Sequence, residues 1–341
     1  MHPTLQPAVA QIIRGQDLSA NEMRDCIGAV MDGQCEATDV ASLLTAIACK
    51  GPAAAEVVGA AQAMRDRATR IAADRRPLLD TCGTGGDQLH TFNISTATAI
   101  VAAACDIAVA KHGNRSVSSS SGSADVLEAL EVNILLTPEQ ASRCLDAAGI
   151  TFCFAQLVHG AMKHAAPVRK ALGFPTIFNL LGPLTNPAGA EYQLLGASSV
   201  HQAKLVSEAL SVLGCRKALV VCGNDELDEV CLWGPTTVFE VHGSNVKQKQ
   251  WTPDDFGLPT CDVRSLRVGS AQESAKFVRS ALAGENSPAT AIVTANAAAA
   301  LLAADGCSDL REAVSKVQAV LASGKAIEKL NQLVTWTQKC V

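Results

Sequence analysis

From residue 77 onward the chain alternates short apolar runs with longer helix-patterned segments, and this alternation limits its fold more than any other feature. IAVAK, ITFCFAQ, YQLLGAS and KALVVCG are short and apolar and bounded by polar or glycine-containing segments, as buried strands are. STATAIVAAAC, SADVLEALE, HQAKLVSEALSVLG and NAAAALLAAD have helical spacing. Strand, helix and strand in succession form a βαβ unit, so the expected fold class is α/β with a mainly parallel central sheet. Hydrophobic residues make up 48% of the chain but aromatics only 4%. A core of Ala, Leu, Val and Ile suits helix-covered sheets. Upstream, Leu5 to Arg76 has apolar residues three and four apart, Asp17 and Ser19 as candidate caps, and no strand signal. The expected organisation is a small helical domain at 1–76 and a large α/β domain at 77–341. The Pro-punctuated segment 160–185 breaks the alternation and is expected to rejoin the helical domain in part.

A net charge of -5 argues against a surface built to coat nucleic acid, which needs clustered Lys and Arg. The 13 cysteines are scattered through apolar runs and form no CxxC pair, so neither a zinc site nor a redox dithiol is indicated and a reducing cytoplasm is expected. No signal-type leader and no membrane-length apolar stretch is expected.

Three loops carry chemistry. DTCGTGGD follows the apolar Leu78 and Leu79 and precedes the helix start NISTA. Glycines after a strand let backbone N–H groups approach a phosphate closely, and a helix N-terminus favours negative charge. The same glycines also suit an ordinary tight turn. Neither GxGxxG nor a P-loop is present. Asn93, Ser95 and Thr96 stand where they can cap the helix or face a ligand. The second loop, KHGNRSVSSSSGSAD at 111–125, reads as a flexible connector or as an anion cradle. Lys111 supplies a point charge, Asn114 an amide, and Ser118, Ser119 and Ser123 hydroxyls; Ser123 serves equally as a helix cap. Both loops leave strand candidates, so they are expected to meet at the carboxyl edge of one sheet, where open α/β sheets bind ligands. The third loop, NDELDEV at 224–230, places four carboxylates at a strand end. Solvation or a hard cation such as Mg²⁺ relieves that repulsion.

Taken together, GTGGD, TFNISTA, KHGNRSVSS, SGSADVLEAL, TIFNLLGPLTNP and LDE resemble the anthranilate phosphoribosyltransferase family over about Asp80 to Glu229. The resemblance implies the fold of nucleoside phosphorylases and phosphoribosyltransferases of this type, and a homodimer formed through the helical domain. It implies transfer of a phosphoribosyl group from phosphoribosyl pyrophosphate to the amine of anthranilate, in tryptophan biosynthesis. By resemblance Gly83, Gly86, Asp87 and Thr91 bind phosphoribosyl pyrophosphate, with Asn93, Ile94, Ser95 and Thr96 at the helix start. Lys111, His112, Gly113, Asn114, Arg115, Ser116, Val117, Ser118, Ser119 and Ser123 complete that set. Ser95, Asp228 and Glu229 match Mg²⁺ ligands, with two ions implied. Gly83, Asn114 and Arg169 match contacts to anthranilate, with His112 and His159 nearby. No covalent nucleophile or general base is assigned. Departures from the family pattern stand at Glu131, Gly160, Pro175, Cys222 and Glu226, of which Gly160 and Pro175 lie in the acceptor segment. The alternatives are a pyrimidine nucleoside phosphorylase and a non-catalytic nucleic-acid-binding relative. The first lacks its usual signature here, and the second is expected to show a basic surface and lost metal ligands.

Overall fold

The structure is a computed structural model and describes residues 1–115 and 122–339. Ser116, Val117, Ser118 and Ser119 therefore lie outside the described residues.

Seven strands form one sheet: β1 Leu78–Asp80, β2 Ala108–Gly113, β3 Ile150–Phe154, β4 Tyr192–Gly196, β5 Lys217–Gly223, β6 Thr236–His242 and β7 Asn245–Trp251. Their order is β3-β2-β1-β4-β5-β6-β7. The five strands from β3 to β5 pair in parallel, and β6 and β7 add an antiparallel hairpin at one edge. The sheet is thus mainly parallel, as expected. The hairpin is an element that the reading for short apolar runs passed over. TTVFEVH alternates apolar and polar residues, and NVKQKQW exposes most of its side chains as an edge strand does. Gly243, at φ +57°, opens the two-residue turn between them.

Strand β5 shows how the sheet divides two cores. Ala218, Val220 and Cys222 point to one face, and Leu219 and Val221 to the other. The first face packs on the helix Val200–Leu213 and is continuous with the apolar interior of four N-terminal helices, Leu5–Ile13, Ala20–Met31, Ala37–Lys50 and Ala54–Arg67. Ala165, Val168, Ile177, Phe178 and Leu181 from the interrupting segment join this same core. Ser19 caps the second helix through a reciprocal pair with Glu22; Asp17 caps nothing and instead accepts from Lys50 at 2.6 Å. The second and fourth helices cross so closely that any side chain at Gly59 would collide with the Ala20 carbonyl.

On the opposite face the helix Ile94–Ala104 is mostly apolar and almost wholly buried and lies against the similarly apolar Pro288–Ala303. Every parallel strand ends on the same edge of the sheet. β1 connects outward to β2 on one side while β4 takes the other, so the topological switch point lies between β1 and β4. No helix among the described residues is long and apolar enough to cross a membrane.

Candidate active site

The loops after β1, β4 and β5 converge at the switch point, and glycines permit it. Gly85 and Gly86 adopt φ +68° and +89°, which a side chain would resist. A Cβ on Gly83 would lie 2.9 Å from Asp228 Oδ2 and 3.2 Å from the Gly196 carbonyl. The Thr84 amide donates to the Gly196 carbonyl at 2.8 Å, and the Gly85 amide donates to Asp228 Oδ2 at 2.8 Å. The glycine turn is thus fastened to the end of β4 and to the acidic loop beyond β5.

The four carboxylates of that loop divide into two pairs. Asp225 accepts the Val200 amide at 2.7 Å at the start of the helix Val200–Leu213, and Glu226 accepts from the Asn224 side chain Nδ2 at 2.8 Å and the Trp233 indole at 2.9 Å. These two are structural. Asp228 and Glu229 turn the other way, half-buried, toward the glycine turn and the start of the helix Ile94–Ala104. Burial, followed by the Asp87 carboxylate hydrogen-bonded to it, raises Asp228 above the ordinary carboxylate range. Burial and the Asp228 charge raise Glu229 in the same direction, opposed by Lys111 and by the Ser95 backbone amide that its carboxyl faces.

Lys111 is buried, and its ammonium donates to the Thr81 carbonyl at 3.1 Å, to Thr81 Oγ1 at 3.3 Å and to Ser95 Oγ at 3.1 Å. It sits beneath the loop as a fixed counter-charge to the carboxyl cluster. Asn93 caps the helix, accepting the Thr96 amide at 3.0 Å and the Ser95 hydroxyl at 3.3 Å. The Asn93 amide in turn donates to Ser274 Oγ at 2.9 Å, and Thr91 forms a β-bridge to Arg267. Ser274 is buried on the helix Ala271–Leu282 and carries no motif signal, so the sequence reading missed it.

The second loop is described only at its ends. Ser123 is not the cap of the helix Ser123–Ala129; Gly122 occupies that position, and the Ser123 hydroxyl donates to the Asn114 carbonyl at 3.3 Å, closing the neck of the loop. Gly113 has no room for a side chain, because its Cβ would meet that hydroxyl. Arg115 pairs with Asp125 at 2.9 Å and spans both Glu128 oxygens at 2.5 and 2.8 Å. Asn114 Oδ1 accepts the Arg115 amide at 2.8 Å.

Behind the loops, the His112 amide donates to Asp80 Oδ1 at 3.0 Å while Asn186 donates to Asp80 Oδ2 at 2.7 Å. Burial raises Asp80 to about 6. The His112 ring uses Nδ1 on the Gly182 carbonyl at 2.9 Å and meets the His159 ring edge-on at 5.1 Å. Burial pushes His112 down to about 3 and His159 to about 4, so both imidazoles are neutral at pH 7. Asp80, Cys82 and His112 bring ligand-type atoms within 4.8 Å of one another. Both Asp80 oxygens already accept hydrogen bonds and the Lys111 charge stands beside them, so this cluster is a poor cation site. Arg169, on the helix Ala166–Leu172, lies over the Phe178 ring at 5.3 Å and reaches Asn179 Oδ1 at 3.5 Å. It is half-buried and has no carboxylate partner among the described ion pairs.

A glycine turn, a helix start and a carboxylate pair thus gather at the switch point of the sheet, the place where open α/β sheets bind ligands. The glycosyl transferase family a/b domain matches residues 75–327, and the same family's helical bundle domain matches residues 6–68. Within that family the chain belongs to the anthranilate phosphoribosyltransferases. It is 46% identical to the anthranilate phosphoribosyltransferase of Chromobacterium violaceum over 98% of both chains. Among solved structures it is similar to that of Thermus thermophilus, with a TM-score of 0.91, 40% identity, and 97% and 99% of the two chains covered. It also resembles the Saccharomyces cerevisiae enzyme in complex with phosphoribosyl pyrophosphate and Mg, with a TM-score of 0.90, 26% identity, and 99% and 100% coverage.

Proposed function

We propose that the chain transfers the 5-phosphoribosyl group of phosphoribosyl pyrophosphate to the amine of anthranilate, releasing pyrophosphate and N-(5-phosphoribosyl)anthranilate for tryptophan biosynthesis. The observation that carries this reading is the fastening of Asp228 to the Gly85 amide, with Glu229 facing Ser95 across the switch point. Amide donors for a polyanion and hard oxygen ligands for a cation thus stand side by side. The carboxyls fit Mg²⁺ on their own chemistry, since Asp87, Asp228 and Glu229 crowd together with Lys111 as the nearby cation. Asp228, Glu229 and Ser95 are the proposed ligands, for two ions, and bound Mg²⁺ would supply charge neutralisation for the departing pyrophosphate.

The chain's own residues do the rest. Amides of the Gly83–Asp87 turn and the helix start at Ile94–Thr96 bind the phosphates, with Thr91, Asn93, residues 111–119 and Ser123 as further contacts to phosphoribosyl pyrophosphate. Asn114, Gly83 and Arg169 hold the acceptor, with Arg169 meeting its carboxylate. Transfer to a sugar carbon with a good leaving group is served by positioning and electrostatics, and no residue is assigned as covalent nucleophile or general base. The named relatives favour this reading over nucleoside phosphorolysis or a non-catalytic nucleic-acid-binding role. Residues 1–76, with part of 160–185, are proposed to form the dimerising helical domain of a cytoplasmic homodimer. The test is pyrophosphate release: it should require anthranilate, phosphoribosyl pyrophosphate and Mg²⁺ together, and release without anthranilate would contradict the assigned acceptor.

A further inference from the structure

Behind the acidic loop lies a polar residue in the middle of an apolar helix. Asn296, on Pro288–Ala303, is fully buried. Its Oδ1 accepts the Val230 amide at 2.9 Å, and its Nδ2 donates to the Val230 carbonyl at 2.9 Å and to the Ile292 carbonyl at 2.9 Å. The carboxamide therefore pairs with both polar groups of one backbone residue, as a neighbouring strand would, while its third bond holds it to its own helix. A buried amide costs stability unless its groups are partnered, and no apolar side chain at 296 could satisfy Val230. Val230 directly follows Glu229. The tether thus fixes the backbone at the exit of the carboxylate pair.

We propose that Asn296 is a positioning residue for Asp228 and Glu229, holding them on the glycine turn and on Ser95 through the Val230 backbone. This rests on the proposed function, in which that pair binds Mg²⁺. Groups that orient metal-binding carboxylates typically change affinity by about 10- to 100-fold when lost.

Asn296→Ala removes the tether. Asn296→Asp keeps its volume and the acceptor for the Val230 amide but has no donor for the two carbonyls, and it covers the case in which the alanine variant does not fold. Calorimetric titration of phosphoribosyl pyrophosphate in saturating and limiting Mg²⁺ should show affinity lowered about 10-fold or more in the folded variants. Faster hydrogen exchange at the Val230 amide should accompany the loss. The Michaelis constant for anthranilate should change by less than about 2-fold, a split that general loosening would not produce. Unchanged Mg²⁺-dependent binding, or equal losses for both substrates, would overturn the tether alone. Wild-type binding with no Mg²⁺ dependence would overturn the underlying assignment and the tether with it.

Discussion

Gly196, the last residue of β4, lies so close to the Asp228 backbone that a Cβ on the glycine would fall on the Asp228 carbonyl. The position of the acidic loop is therefore set by the absence of a side chain on a neighbouring strand. Gly196→Ala should displace Asp228 from the Gly85 amide. A misplacement of about 1 Å in such a site costs on the order of 100-fold in rate. Steady-state kinetics and a thermal melt check this, and near-normal kcat/KM would contradict the close fit.

Asp228→Asn and Glu229→Gln keep side-chain volume but remove one charge from a crowded cluster. Activity should fall about 100-fold or more, as for loss of a group that stabilises developing charge. The ligand-free variants should melt at the same temperature as the wild type or above it, because repulsion has been relieved. Parallel loss of stability and activity would show that the pair is structural.

Among the described residues the Arg169 guanidinium meets the Asn179 side chain at a weak 3.5 Å and the Phe178 ring. Arg169→Ala should raise the Michaelis constant for anthranilate about 10-fold or more, the scale of a lost charge-assisted hydrogen bond, and affect phosphoribosyl pyrophosphate less. Equal changes would move Arg169 out of the acceptor site.

His159 is held near 4 in the folded chain against an ordinary value of 6.5. A depressed folded value means that the unfolded chain binds the proton first. The stability contributed is complete above pH 6.5 and is lost as pH falls from there toward 4. Chemical denaturation across that window should show His159→Gln losing less stability than the wild type, by up to about 1.4 kcal/mol per pH unit. Identical slopes would contradict neutral burial of His159.

Much of this site was legible because strand ends, glycines and carboxylates leave local marks. The glycines of GTGGD announced a turn, and NISTA announced a helix start. What remained hidden depends on partners far along the chain. NDELDEV reads as four equivalent carboxylates, but Asp225 is occupied by a helix amide and Glu226 by the Trp233 indole. Ser123 reads equally as a ligand hydroxyl or a helix cap, and Gly122 holds the cap position. Lys111 reads as a loop cation and is instead a buried counter-charge under Ser95. Asn296 holds one site loop by two hydrogen bonds to Val230 and Ser274 holds another by one to Asn93, and a lone polar residue in a helix gives no sign of that. The β6–β7 hairpin was missed because one strand alternates and the other is largely polar.

The central claim is that the carboxylate pair and the glycine turn act together on phosphoribosyl pyrophosphate, with anthranilate as acceptor. Anthranilate fluorescence measures this directly. It should decay only when enzyme, phosphoribosyl pyrophosphate and Mg²⁺ are all present, and Asp228→Asn should slow the decay about 100-fold or more at equal enzyme. Undiminished decay without Mg²⁺, or no decay in the complete mixture with folded protein, would contradict the account.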